Sequence, residues 1–171
     1  MSDTVPASSM AWISIVHDDQ QALRAQADEL QATLAVSADA ASRRSAMAWV
    51  LDQLTPALAA HLQQHEDVLF PIVERLVGRQ AGALQLMRDE HRELRTTLAR
   101  LQAPMEEDAV PLLVALLNDH QAKTERLIVD VLRHTLTSGA QDALAEALAA
   151  HGAPDQRPET SVSVPLVRAV A

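Results

Sequence analysis

Apolar residues recur every three to four positions through most of this chain, and the recurrence marks out four long helices. The first is predicted from Ser9 to about Leu34, with Ser8 or Ser9 as N-cap. Ile13, Val16, Leu23, Ala27, Leu30 and Leu34 form its apolar face, and His17 sits on the edge of that face. A short polar linker, VSADAAS, follows. The second helix is the clearest. Met47, Val50, Leu51, Leu54, Leu58, His61, Leu62, His65, Val68, Leu69, Ile72 and Leu76 keep the i, i+3, i+4, i+7 rhythm over about 45 Å of helix. Pro56 and Pro71 lie inside it and predict a bend or restart, and Gly78 predicts the stop. The third helix carries Leu84, Met87, His91, Leu94, Leu98 and Leu101, a strict bundle seam ending at Pro104. The fourth is predicted from Asp108 to Thr137, with Pro111 in its first turn. Its face is Leu113, Leu116, Leu117, His120, Thr124, Leu127, Val131 and His134. SGAQ, residues 138–141, reads as a capping box, Ser138 capping and Gln141 reaching back. It opens a short helix, Ala140 to Ala150, that stops at Gly152 and Pro154.

The pattern predicts an all-α protein: an antiparallel up-down four-helix bundle with a short extra C-terminal helix and a tail. Residues 9–152 form the domain. Residues 153–171, polar and then weakly apolar, form a tail that is either disordered or laid against the bundle. A faint internal repeat joins the second and fourth helices, since both carry H-x-x-x-x-E followed by apolar residues: His61 to Glu66 and His120 to Glu125.

Composition narrows the chemistry. Apolar residues make up 48% of 171 residues, enough for a core, and four glycines with no tyrosine favour helix over sheet. The absence of cysteine excludes disulfides, thiolate metal sites, iron–sulfur clusters and covalently attached c-type haem. Any metal must be held by nitrogen and oxygen. A net charge of −9 and a single lysine, Lys123, argue against nucleic acid or an anionic membrane surface as partner. The opening MSDTVPASSM lacks the basic and apolar regions of a signal peptide, and no apolar run is long enough to span a bilayer, so the expected location is cytoplasmic.

Five histidines interrupt this apolar scheme: His17, His61, His65, His91 and His120 lie on or beside the core seams of all four long helices. His61 and His65 stack one turn apart. Glu66 and Glu125 each follow a seam histidine by five residues, about 140° around the helix, at the edge of the inward face. A lone histidine on a seam is ordinarily a core residue bonded to a carbonyl or hydroxyl, and His134 and His151 are read as ordinary. The set is different. Burying several imidazoles and carboxylates costs several kcal/mol unless something pairs them. A metal converts them to ligands, and imidazole with carboxylate suits iron, manganese or zinc. Six or so ligands exceed one tetrahedral zinc and would serve two metals bridged by a carboxylate. No Ser-His-Asp or Cys-His arrangement and no Gly-rich phosphate loop is present, so any turnover would be metal-centred chemistry on a small oxidant such as peroxide.

The order of these residues resembles the hemerythrin-like, or HHE cation-binding, proteins. The match lies in His17, then HLQQHEDVLFP, then EH at Glu90–His91, then His120 with Glu125, and it covers about residues 10 to 137. The resemblance implies a non-haem di-iron centre that binds, senses or handles oxygen, nitric oxide or peroxide, or iron itself. It maps His17, His61, His91 and His120 onto the family histidines and Glu125 onto the acid five residues after the fourth-helix histidine. It also exposes departures. His65 stands where the family places a helix acid, Thr124 takes the corresponding place in the fourth helix, and Arg95 replaces a second third-helix histidine. Either Glu66 swings in as the substitute carboxylate, or the site is richer in histidine, with His65 a ligand, and holds one metal or an unusual pair. Arg95, one turn from His91, is expected to pair with Glu66 or Glu125 behind the ligands, with Thr124 also beside the site. The alternatives are a histidine-rich core holding one iron, manganese or zinc ion or a haem, and a degenerate bundle acting through its surface.

Overall fold

A computed structural model describes residues 10–36, 39–78, 82–103 and 105–151. The expected cap at Ser8 or Ser9, the stops at Pro104, Gly152 and Pro154, and the tail lie outside the described residues. Among the described residues there is no strand. Helix α1 spans Ala11–Val36. Helix α2, Ala40–Gln64, runs through a π-helical turn at His65–Leu69 into α3, Phe70–Val77. Helix α4 is Gly82–Gln102. Helix α5, Ala109–Thr124, runs through a second π turn at Glu125–Val129 into α6, Asp130–Thr135. Helix α7 is Ser138–His151. None is long and apolar enough to cross a membrane.

Local chemistry sets the ends. The Asp39 carboxylate accepts the N–H groups of Ala41 and Ser42 at 3.0 and 2.8 Å and caps α2. Gly78, with φ of 86°, takes the left-handed conformation that closes α3. Pro56 is carried inside α2 without a break, but Pro71 sits in the first turn of α3, directly after the first π turn. The wide turn relieves the clash of the proline ring with the carbonyl four residues back. The second π turn has no proline to explain it.

Each π turn holds one more residue than an α turn, and that residue shifts the apolar seam. In the fourth run the sequence pattern extrapolates to Leu127, Val131 and His134. The buried residues are instead Ile128, Leu132 and Leu136, one or two positions later, and His134 is exposed with Nδ1 on the Asp130 carbonyl at 2.7 Å. In the second run Phe70 and Val73 join the core and Leu76 is only partly buried. The expected capping box is also displaced. Thr137 Oγ1 accepts the Ala140 N–H, Ser138 lies inside α7, and Gln141 bonds the Leu136 carbonyl and the Trp12 indole N–H. Trp12 and Gln20, absent from the expected α1 face, are buried there.

Helix α1 packs on α2, α5 and α7, and α4 packs on α5 and α2, so α1, α2, α4 and α5 close a ring of contacts. The interior has two apolar clusters. One gathers Trp12, Val16, Phe70, Met87, Ile128 and Leu144; the other gathers Leu23, Leu54, Leu62, Leu94 and Leu117. Truncating a fully buried leucine such as Leu54 to alanine would cost about 2–5 kcal/mol. Between the clusters every run in the ring turns polar. Val16 gives way to Gln20, Leu58 to His61 and His65, Met87 to Glu90 and His91, and Leu117 to His120 and Thr124, all buried. A polar layer thus crosses the core between two apolar blocks.

Candidate metal centre

Four of the sequence-predicted residues meet in this layer. His61, His65, His91 and His120 are all at most 1% exposed. Their rings pack against one another, with centroids 4.1 Å apart for His61–His65, 5.2 Å for His65–His120, 4.9 Å for His91–His120 and 5.7 Å for His65–His91. Phe70 stacks on His91 from the apolar side at 5.1 Å. His61 and His65 share a face because they are one turn apart, where α2 passes into the π turn that begins at His65.

Three of the four imidazoles lean on a carboxylate through Nδ1. His61 bonds Asp19 of α1, His91 bonds Glu66 at 2.7 Å, and His120 bonds Glu90 of α4 at 3.4 Å. A carboxylate only accepts, so each Nδ1 carries the hydrogen and Nε2 is left with its lone pair. Nε2 of His61, His91 and His120 has no partner, and neither nitrogen of His65 has one. The Thr124 hydroxyl is likewise buried and unpartnered. Burial pushes the His65 and His120 imidazoles well below their ordinary pKa, with neighbouring imidazoles adding to the effect. His91 is lowered to about 4, burial outweighing the opposing pull of Glu66. These rings are therefore neutral at pH 7, the form that binds metal.

The remaining predicted residues lie further out. His17 is 2.9 Å from Glu125 in a half-exposed pair whose side chains are each 41% accessible. Arg95 is exposed and forks onto Glu66 at 2.9 and 3.0 Å. Partial burial would raise the Glu66 carboxyl, but hydrogen bonds from Arg95 and His91 hold it below its ordinary value. Asp19, Glu90 and Lys123 are part of the arrangement and were not among the site residues expected from the sequence. Lys123 bonds both Glu90 and Asp119, so the carboxylate behind His120 is itself fixed. Glu90 carries a signal, since it precedes the seam histidine His91 directly. Asp19, on the flank of α1, carries none.

The repeat has a structural counterpart. The acid from the second run, Glu66, reaches the histidine of α4, and the acid from the fourth run, Glu125, reaches the histidine of α1. The carboxylate behind His61 comes from α1 and that behind His120 from α4. Both π turns begin within a turn of these residues.

A buried ion suits this site. His61, His65 and His120 each offer a nitrogen within 4.8 Å of the others'. Ligand bonds of about 2.1 Å place three nitrogens roughly 3.4–3.6 Å apart around one ion, so each ring moves inward by less than about 1 Å to close the set. Orphaned lone pairs in one layer, backed at His61, His91 and His120 by a carboxylate on the far nitrogen, are what metal-binding histidines present. The sequence carries the same message: the model of the hemerythrin HHE cation binding domain matches residues 12–137. The chain belongs to this family. No curated protein and no solved structure gave a significant match. As a hemerythrin-like domain it is a metal-binding protein, and its histidine layer has the geometry to hold the ion.

Proposed function

We propose that this hemerythrin-like chain carries a non-haem iron centre at the imidazole layer and that the centre binds, senses or turns over a small oxidant: oxygen, nitric oxide or peroxide. The supporting observation is the set of buried imidazoles with unpartnered nitrogens. The closed ring of α1, α2, α4 and α5, joined by short connections, is read as an antiparallel up-down four-helix bundle, with α7 as the extra helix.

His61, His65, His91 and His120 are the proposed ligands of one ion. Asp19, Glu66 and Glu90 fix the tautomers and aim the lone pairs. Arg95 holds Glu66 out on the flank of the site, where it serves His91 rather than the ion. The two apolar clusters keep bulk water from the layer on both sides. Bound iron supplies Lewis-acid and redox chemistry there. Ligands that are all neutral leave its charge uncompensated, so the centre favours a small anionic or electron-rich guest.

A two-iron reading is favoured by the family and by the His17–Glu125 pair, which adds one nitrogen and one carboxylate at the rim. Metal analysis and an optical spectrum separate the two. One iron per chain, without the near-ultraviolet bands of an oxo-bridged ferric pair, supports the four-imidazole centre; two irons with those bands support the other. Replacing His61, His91 or His120 by alanine is expected to abolish most bound metal while helix content persists. Full occupancy in all three variants would remove the proposal.

A further inference from the structure

Once an ion occupies the layer, two hydrogen-bond donors remain without an acceptor. The first is on His65. His61, His91 and His120 each rest one nitrogen on a carboxylate, but both nitrogens of His65 are unpartnered. If one binds the ion, the other carries a hydrogen and faces no acceptor. The second is Thr124. Thr33 and Thr96, also within helices, bond the carbonyl one turn back at 2.9 and 2.8 Å. The Thr124 hydroxyl has no partner, although the residue is 0% exposed. A buried hydroxyl left without a partner is destabilising and rare in native proteins.

The two donors are linked through His120. Thr124 is one turn beyond His120, and the His120 ring lies against that of His65. Gln20 adds a third unpartnered donor at the edge of the same layer. Its Nε2 has no acceptor, and its carbonyl is tied to Gln121 of α5 at 2.7 Å, within a turn of Thr124. His65 and Thr124 occupy matching places in the internal repeat, four residues after His61 and His120. Donors without acceptors, beside neutral ligands, define a place for an acceptor.

We propose that Thr124 and His65 form the donating wall of a pocket for a small anionic ligand of the metal centre, with Thr124 as the positioning residue that selects it. The inference rests on the metal reading above. The Thr124 hydroxyl donates to an atom of the guest that is not bound to the ion. A guest with a second acceptor atom is thereby favoured over water or a halide. Azide is the natural probe, since it is linear, anionic and has a free terminal nitrogen.

The test uses the metal-loaded full chain, wild type, Thr124→Val and Thr124→Ser, with azide titrated against the optical spectrum. Valine matches threonine in shape and removes only the hydroxyl. Metal content is expected to be the same in all three. Azide affinity is expected to fall about tenfold in the valine variant, the worth of one hydrogen bond to a charged group, and to be retained in the serine variant. Chloride affinity is expected to be the same in all three. Without metal, the valine variant is expected to be at least as stable as wild type, because the hydroxyl has no partner to lose. Equal azide affinity in wild type and Thr124→Val, or no azide binding by metal-loaded wild type, would overturn the pocket while leaving the metal reading intact. A wild type that binds no metal would remove both.

Discussion

His65 is the residue on which the chemistry of the centre turns. A carboxylate at its position would bring negative charge to the metal layer and a second bridging atom. The imidazole brings neither, and Arg95 and His91 hold the adjacent acid in the chain, Glu66, on the flank. We therefore expect His65→Glu to raise bound iron per chain and to introduce the near-ultraviolet bands of a coupled pair; an unchanged iron content would contradict this. The carboxylates behind the ligands are a separate matter. Asp19→Asn or Glu90→Gln removes the charge that fixes a tautomer but leaves the ligand in place, so metal affinity is expected to fall about 10- to 100-fold without loss of fold. A competition titration against a chelator reads this directly, and affinity equal to wild type in both would show the pairs to be incidental. His61, His65, His91 and His120 could be found from the sequence because each breaks an apolar seam. Asp19 and Glu90 could not be assigned their role, because an acid beside a seam looks the same whether it faces solvent or an imidazole on the next helix.

At the scale of elements, the faces were legible up to the π turns, apart from Trp12 and Gln20 in α1; past the first π turn Ile72 keeps its expected place and Val73 replaces Leu76, and past the second the seam shifts. Extrapolating a 3.6-residue rhythm past Thr124 selects Leu127 and Val131, whereas the core takes Ile128 and Leu132. No local propensity announces the extra residue; what signals it is the double choice of inward residues on either side. The same reasoning gives a test. A π turn is an α turn with one residue added, so removing one exposed residue from it restores the α path and leaves the downstream seam in place. Deleting Arg126 is therefore expected to preserve folding while disturbing the Glu125 contact with His17. Deleting exposed Ala115, in the regular part of α5, rotates everything after it by about 100° and is expected to be far more destabilising. Thermal unfolding followed by circular dichroism compares the two. Equal losses would mean that the wide turn is not an insertion in this sense.

The whole molecule is two apolar blocks held apart by a layer of imidazoles, and that layer makes stability depend on pH. The His91 imidazole titrates near 4 in the folded chain against an ordinary 6.5, and His65 and His120 are displaced the same way. Between these values the unfolded chain binds more protons, so metal-free stability is complete above about pH 6.5 and falls as the pH drops toward 4. Urea midpoints measured across that window are expected to decrease with acid; a flat profile would mean that the imidazoles are not buried in solution. Metal loading is expected to raise the midpoint at pH 7, since only the folded chain presents the ligands together. The helical class and the histidine set were readable because both follow from periodicity. That these histidines meet at one level of the core follows from setting the runs side by side in a bundle; the buried Gln20 and Glu90 that complete the layer were not legible, because a polar residue beside a seam looks the same whether it faces solvent or core.

We propose one ion among His61, His65, His91 and His120. X-ray absorption at the metal edge of the iron-loaded chain tests it most directly. The account predicts a first shell dominated by nitrogen, outer-shell scattering from about four imidazoles and no metal–metal vector. A short iron–iron vector with a carboxylate-rich first shell would contradict it.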